Sequence, residues 1–323
     1  MSDQLFAPVE SVEEFSLHTD DGHRVYFERF GNPNGVPLVF LHGGPGSGAS
    51  KNQRRLFDPQ LFNVVIVDQR GSGRSWPLAE DPAADRSSNT THHLIADLEQ
   101  IRELLGIETW ILAGFSWGTT LALAYACYHP GRVRGIMAAL VTTTSRHEVK
   151  WITHDVGEIF PIEHHRFAAF VADTVDPNIE LSIVSAYASI LWGPHSDRRE
   201  QAAIEWCRWE DAHVSLAPGH QHNTKYDDPD FRLRFARLVT HYWSNSAFLG
   251  DDFLLRLIPA ISGIPMFFIH GKYDVSSPLS TAWRLSRSID SAELIILDES
   301  GHGDGQDFLP AVLGSLRKLG EQH

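Results

Sequence analysis

Short, unbroken apolar runs recur through the first half of the chain and again near its end, at residues 37–41, 64–67, 110–113, 135–141, 265–269 and 294–297. Continuous rather than alternating hydrophobicity suits strands covered on both faces, so these runs predict a buried, mostly parallel sheet. Between them the spacing changes to a helical period. In 92–105, Leu94, Ile95, Leu98, Ile101, Leu104 and Leu105 fall on one stripe, and 279–289 and 308–319 behave alike. Ahead of all these, 15–19 and 24–29 flank Asp21-Gly22, which predicts a hairpin. Strand–helix alternation of this kind predicts an α/β fold with helices on both faces of the sheet.

Residues 142–255 break the rhythm. They are richer in His, Trp, Asp and Glu, lack buried-strand runs, and read as helices and loops, for example at 206–213 and 231–244. The expected organisation is a core formed by 1–141 and 256–323, with 142–255 inserted as a helical cap after one strand. Parallel sheets build their sites from loops at the carboxyl ends of their strands, so a cap inserted there covers the site.

Composition narrows the function classes. A chain of 323 residues suits one core domain with a sizeable insertion. The formal net charge of −14 argues against a nucleic-acid partner or a polybasic membrane surface. Two cysteines, Cys127 and Cys207, make neither a disulfide framework nor a metal motif. The N-terminus lacks a basic segment followed by an apolar one, and no apolar run approaches the ~20 residues that span a bilayer. A soluble cytoplasmic protein without a membrane partner is the expectation, and homo-oligomerisation is left open.

The candidate chemistry begins at Gly114-Phe115-Ser116-Trp117-Gly118, between the strand-like run 110–113 and the helix-like run 119–126. A serine in a tight strand-to-helix turn is pushed outward in strained backbone geometry, and the following helix aims free N–H groups at nearby negative charge. Such a nucleophile needs an acid, a base and an oxyanion hole, in the chain order serine, acid, histidine. Asp274 closes His270-Gly271-Lys272-Tyr273-Asp274 just after a strand, and is otherwise an ordinary turn residue before Pro278. His302, in Ser300-Gly301-His302-Gly303, follows the last strand. His42-Gly43-Gly44-Pro45-Gly46 follows the run 37–41, and the Gly44 and Trp117 N–H groups are the expected oxyanion donors. A phosphate loop is the rival reading of those glycines, but Lys51 does not complete the required pattern. His220-x-His222 has no third ligand beside it, so no metal is expected, and no cofactor is required.

Taken in order, residues 42–46, the run Asp68-Gln69-Arg70-Gly71-Ser72-Gly73-Arg74-Ser75, residues 114–118 continuing to His129-Pro130, Asn89-Thr90-Thr91, residues 270–274 and Gly301-His302 resemble the proline iminopeptidase family of α/β-hydrolases. The resemblance covers most of the chain. It implies an α/β-hydrolase fold, removal of N-terminal proline from peptides, and a helical cap that recognises the free amino end. In the family, the acid of a Trp-x-x-Trp-Glu segment does part of that work, which maps to Trp206-Cys207-Arg208-Trp209-Glu210. A carboxylate beside two aromatic rings suits a protonated amine. Equally, the two tryptophans pack the cap onto the core with Glu210 solvated. Asp68–Ser75 reads as support for the site.

Two positions depart from the family. A second acid commonly stands just ahead of a His-Tyr pair, where this chain has Val239 before His241-Tyr242, and Phe115 stands where glycine is usual. The motif series and Glu210 make proline release through an acyl-enzyme the expected activity, while the two departures support the hydrolase chemistry more than that specificity. The rivals are hydrolysis of a small-molecule ester, amide or lactam, and a non-catalytic binding protein on the same fold. The expected partner is a peptide or small-molecule substrate.

Overall fold

The structure, a computed structural model, describes residues 5–81, 83–175, 182–214, 216–217, 219–250 and 253–322. Residues 1–4 of the N-terminus, and 176–181, 215, 218, 251 and 252 of the inserted segment, lie outside the described residues.

Eight strands form one sheet: β1 (Glu13–His18), β2 (Arg24–Gly31), β3 (Val36–Leu41), β4 (Phe62–Val67), β5 (Trp110–Phe115), β6 (Val133–Ala139), β7 (Met266–Gly271) and β8 (Ala292–Leu297), in the spatial order β1-β2-β4-β3-β5-β6-β7-β8. Only β2 runs against its neighbours; every pairing from β4 to β8 is parallel. The hairpin forms as its pattern requires, with Glu13 opposite Arg29 and His18 opposite Arg24.

Alternate residues of the apolar runs serve different cores, except in the run 294–297, where β8 forms the sheet edge and leaves Ile296 exposed rather than covered on both faces. Leu38, Phe40, Val64, Ile66, Ile111 and Ala113 face one cluster, while Val39, Leu41, Val65, Val67, Trp110 and Leu112 face the other. Helices α1 (Thr91–Leu104) and α2 (Trp117–Tyr128) cover the second cluster. Residues 117–126 of α2 are buried throughout, which is why this helix is apolar all round rather than striped.

Between β6 and β7 the chain forms α3 (Arg146–Thr153), α4 (Pro161–Phe170), α5 (Ser182–Leu191), α6 (Ser196–His213), α7 (Pro229–Ser244) and α8 (Phe253–Leu257), and no strand among the described residues. Most of these helices share an apolar cluster of their own, containing Phe167, Tyr187, Trp206, Trp209 and Val239. Leu238, Tyr242, Phe253 and Leu254 instead pack into the core cluster beneath α2. Helices α9 (Leu279–Ser288) and α10 (Phe308–Glu321) then cover opposite faces of the sheet. Helix α6 begins ten residues before the run 206–213 marked by the sequence, because its first half is polar and carries no apolar stripe.

Candidate active site

Ser116 occupies the one-residue step from β5 to α2, with φ 53° and ψ −122°. A non-glycine residue in this region carries strain of about 1–3 kcal/mol, which the surrounding packing must offset. Gly118 shows why the turn needs small residues: a Cβ built there would overlap the carbonyl oxygen of Leu41 on β3. The Ser116 N–H donates to Ala139 O at 2.9 Å, which ties the turn to β6.

The two other expected residues come from loops at the carboxyl ends of β7 and β8. His302 Nε2 lies 3.1 Å from Ser116 Oγ, and His302 Nδ1 lies 2.8 Å from Asp274 Oδ2. Asp274 is buried, and its other oxygen accepts the N–H groups of Ser276 (3.1 Å) and Ser277 (3.2 Å). Burial alone would raise the Asp274 carboxyl, but the neighbouring His302 charge and hydrogen bond outweigh it and hold it below its ordinary value. For His302, burial opposes the charged ring, yet the Asp274 carboxylate prevails and the shift is upward. The arrangement favours an imidazolium formed beside the serine.

Gly44 adopts φ +114°, a conformation in which a side chain would be strained, and lies with Trp117 on the wall of the cavity at Ser116. Neither the Gly44 N–H nor the Trp117 N–H donates to another group among the described residues. The Asp68–Ser75 segment braces both. Gln69 donates its side-chain amide to His42 O (2.9 Å) and accepts the Trp117 indole N–H (2.8 Å). The Gln69 backbone N–H also donates to His42 Nε2 (3.1 Å), so the neutral His42 ring donates from Nδ1 to Gly43 O (2.9 Å). Burial lowers the His42 pKa and keeps that ring neutral. Arg70 forms a buried two-pronged pair with Asp97 (2.6 and 2.7 Å), and Arg74 binds Asp68 and Glu28.

Ser116, His302, Gly44 and Trp117 open onto a cavity of about 370 Å³ whose far wall comes from the inserted helices. Glu210 lines it, only 9% exposed. Burial pushes its carboxyl up to about 7, against the Trp206 hydrogen bond and the His302 charge, which both favour ionisation. The Trp206 indole N–H donates to Glu210 Oε1 at 3.1 Å.

The expectation that Trp206 and Trp209 stand with Glu210 against the substrate's amine is corrected. Both are fully buried and neither lines the cavity. Their rings pack on Phe167, with Trp206 also against Tyr187 and Trp243, and the Trp209 N–H donates to Ile152 O at 3.0 Å. Two indole faces are too much apolar surface to leave beside water, so α6 turns them into the insertion's core and presents Glu210 and Asp211 to the cavity. The aromatic wall comes instead from Phe115, Trp117, Tyr226, Phe235 and Trp243, which the sequence did not mark as pocket residues, apart from Trp117 for its N–H. Phe115 is held edge-on against Phe40 and Phe308. Val239 is fully buried in the insertion's apolar cluster, away from the cavity wall. His222 is held by Asp211 (2.7 Å) and Asp227 (3.1 Å), and no group of three metal-ligating side chains occurs among the described residues.

A family model described as the alpha/beta hydrolase fold matches residues 36–305. A probable proline iminopeptidase of Streptomyces coelicolor is 43% identical over 97% of both chains. The proline iminopeptidase of Neisseria meningitidis is 38% identical, covering 93% of this chain and 92% of its own. The chain belongs to the proline iminopeptidase family of α/β-hydrolases.

Solved structures agree on the fold. A proline iminopeptidase of Mycobacterium smegmatis superposes with a TM-score of 0.65 at 21% identity, over 97% of this chain and 99% of that one. A haloalkane dehalogenase variant from Bradyrhizobium elkanii reaches 0.66 at 18% identity, over 96% and 98%. At such identities the likeness is one of fold, and members with different chemistry share it.

Proposed function

We propose that this chain is a serine aminopeptidase that releases N-terminal proline from peptides. The observation that carries the reading is the hydrogen-bonded series Ser116–His302–Asp274 opening onto the same cavity as the buried Glu210. Ser116 Oγ attacks the carbonyl carbon of the first residue while His302 Nε2 takes its proton. Asp274 fixes the ring with Nδ1–H toward itself and stabilises the imidazolium. The Gly44 and Trp117 N–H groups receive the oxyanion, each contributing about 2.7–4 kcal/mol to the transition state. His302 then protonates the departing amine, and water releases the acyl group by the reverse sequence. The inserted helices act as a cap, and Glu210 reads the substrate's ammonium group once ionised. Names and motifs of the relatives support this reading.

A second reading rests on Val239. With an apolar residue where the family commonly has an acid, Glu210 is left to hold the ammonium without that partner, and a neutral ester, amide or lactam is the competing substrate. Proline 2-naphthylamide, N-acetylproline 2-naphthylamide and phenyl acetate, assayed side by side, separate the two. The first reading predicts fast release from the free-amine amide alone among the two amides, with Glu210→Gln removing that preference. Turnover of phenyl acetate without any proline naphthylamide turnover would falsify the peptidase assignment and keep the hydrolase chemistry.

A further inference from the structure

One buried group beside this site is not used by the mechanism. His213 is fully buried on α6, three residues beyond Glu210. Its Nδ1 lies 3.1 Å from Ser276 Oγ. Its Nε2 has no hydrogen-bond partner among the described residues, and sits 3.6 Å from Glu210 Oε2, just beyond hydrogen-bond range. A buried polar atom left unpaired costs about 1–3 kcal/mol, so the gap asks for an explanation. Charging the ring does not supply one, because burial and then the His302 charge push its pKa down to about 3.

A neutral imidazole has one donor and one acceptor nitrogen, so two arrangements complete the set. With Glu210 protonated, its O–H donates to Nε2, Nδ1–H donates to Ser276 Oγ, and the Ser276 O–H turns to the His213 carbonyl oxygen, 3.4 Å away. With Glu210 ionised, Nε2–H donates to the carboxylate and Nδ1 accepts the Ser276 O–H. The two states differ by one proton on Glu210 and by the ring tautomer, and a short approach of the ring and carboxyl completes either one.

We propose that His213 is a positioning residue whose tautomer follows the protonation of Glu210, closing on the carboxylate when the substrate's ammonium group docks. This rests on the reading of Glu210 as the ammonium site. Ser276 holds Asp274 Oδ1 through its backbone N–H, which neither arrangement uses, so the ring changes over without moving the catalytic carboxylate. The other groups whose charge Glu210 feels or perturbs are His302, Tyr226 and Cys207; burial pushes the last two well up, so they stay neutral near pH 7. Asp211, next along α6, is held by His222.

The tautomer is read directly by long-range proton–nitrogen NMR of the 15N-labelled full chain between about pH 5.5 and 8.5, a range centred on the Glu210 transition. The expected result is conversion of the His213 ring from Nδ1–H to Nε2–H in one step, absent in Glu210→Gln. A single tautomer throughout, or the same conversion in Glu210→Gln, overturns the proposal. A kinetic arm uses proline 2-naphthylamide and phenyl acetate. His213→Leu is expected to raise KM for the amide about tenfold, the size of one hydrogen bond to a charged group, with kcat and phenyl acetate turnover little changed. His213→Gln, which keeps a polar partner, recovers most of that loss. An equal loss on phenyl acetate marks a merely structural role and rejects positioning. If the wild type cleaves no proline amide, the Glu210 reading fails, while the NMR arm still decides the tautomer claim.

Discussion

Glu210 is placed against the interests of the fold. It is 9% exposed, and burial raises its carboxyl to about 7, whereas an unfolded glutamate titrates near 4.5. Between those values the folded state binds more protons than the unfolded one, so stability falls as pH rises, by on the order of 3 kcal/mol in all. Glutamine cannot ionise and escapes the loss. Urea unfolding at pH 5 and pH 8.5 is expected to show wild type losing on the order of 2–3 kcal/mol more than Glu210→Gln between the two. Parallel losses would show that the carboxyl is not held in a low-dielectric site. The same titration predicts that KM for a cationic substrate falls as pH rises through about 7. Ser116 follows the same logic in its backbone, where a strained φ of 53° persists because β6 and the close approach of β3 fix the turn.

At the scale of elements, the oxyanion loop and the nucleophile helix are separate pieces of chain joined by one side chain. Gln69 touches His42 O on one side and the Trp117 indole on the other. Gln69→Leu keeps the volume but breaks both contacts. It is expected to lower kcat about tenfold through misplacement of the Gly44 and Trp117 donors, with KM little changed; a loss confined to KM would assign Gln69 to binding instead. This scale also explains what the sequence could and could not disclose. Most strands were legible because residues such as Val64–Val67 must satisfy two cores at once, and the serine, acid and histidine were legible because each follows a short apolar strand, β8 at the sheet edge included. The orientation of α6 was not. Trp206, Trp209 and Glu210 share a face by spacing, yet the structure turns the indoles into the insertion and the carboxyl toward the cavity. Which neighbour a helix face meets depends on tertiary packing, and spacing alone carries no record of it. His213 was hidden for the same reason, since its partner Ser276 lies 63 residues away.

Over the whole molecule, the inserted helices are fastened to the core by buried polar contacts. Tyr242 donates to Asn89 Oδ1 (2.7 Å), His241 Nε2 meets Asn89 O (2.8 Å), and Arg237 donates to Ala79 O (2.7 Å). Helix α7 therefore holds the cavity's far wall in register with the loop before α1. No helix among the described residues is long and apolar enough to cross a membrane. The net charge of −14 gives the molecule as a whole a long-range field that attracts cations. For a substrate with a free ammonium group, kcat/KM is expected to fall severalfold as ionic strength rises from about 0.02 to about 0.5 M, while phenyl acetate is unaffected. Equal salt responses for the two substrates would remove electrostatic steering from the account.

Reaction with a fluorophosphonate tests the central claim most directly. Mass analysis of the folded protein, with peptide mapping, is predicted to show one adduct on Ser116, formed in proportion to lost hydrolysis and absent in Ser116→Ala and in His302→Ala. Hydrolysis that survives in Ser116→Ala, or a fully active protein that takes no label at residue 116, would contradict the assignment.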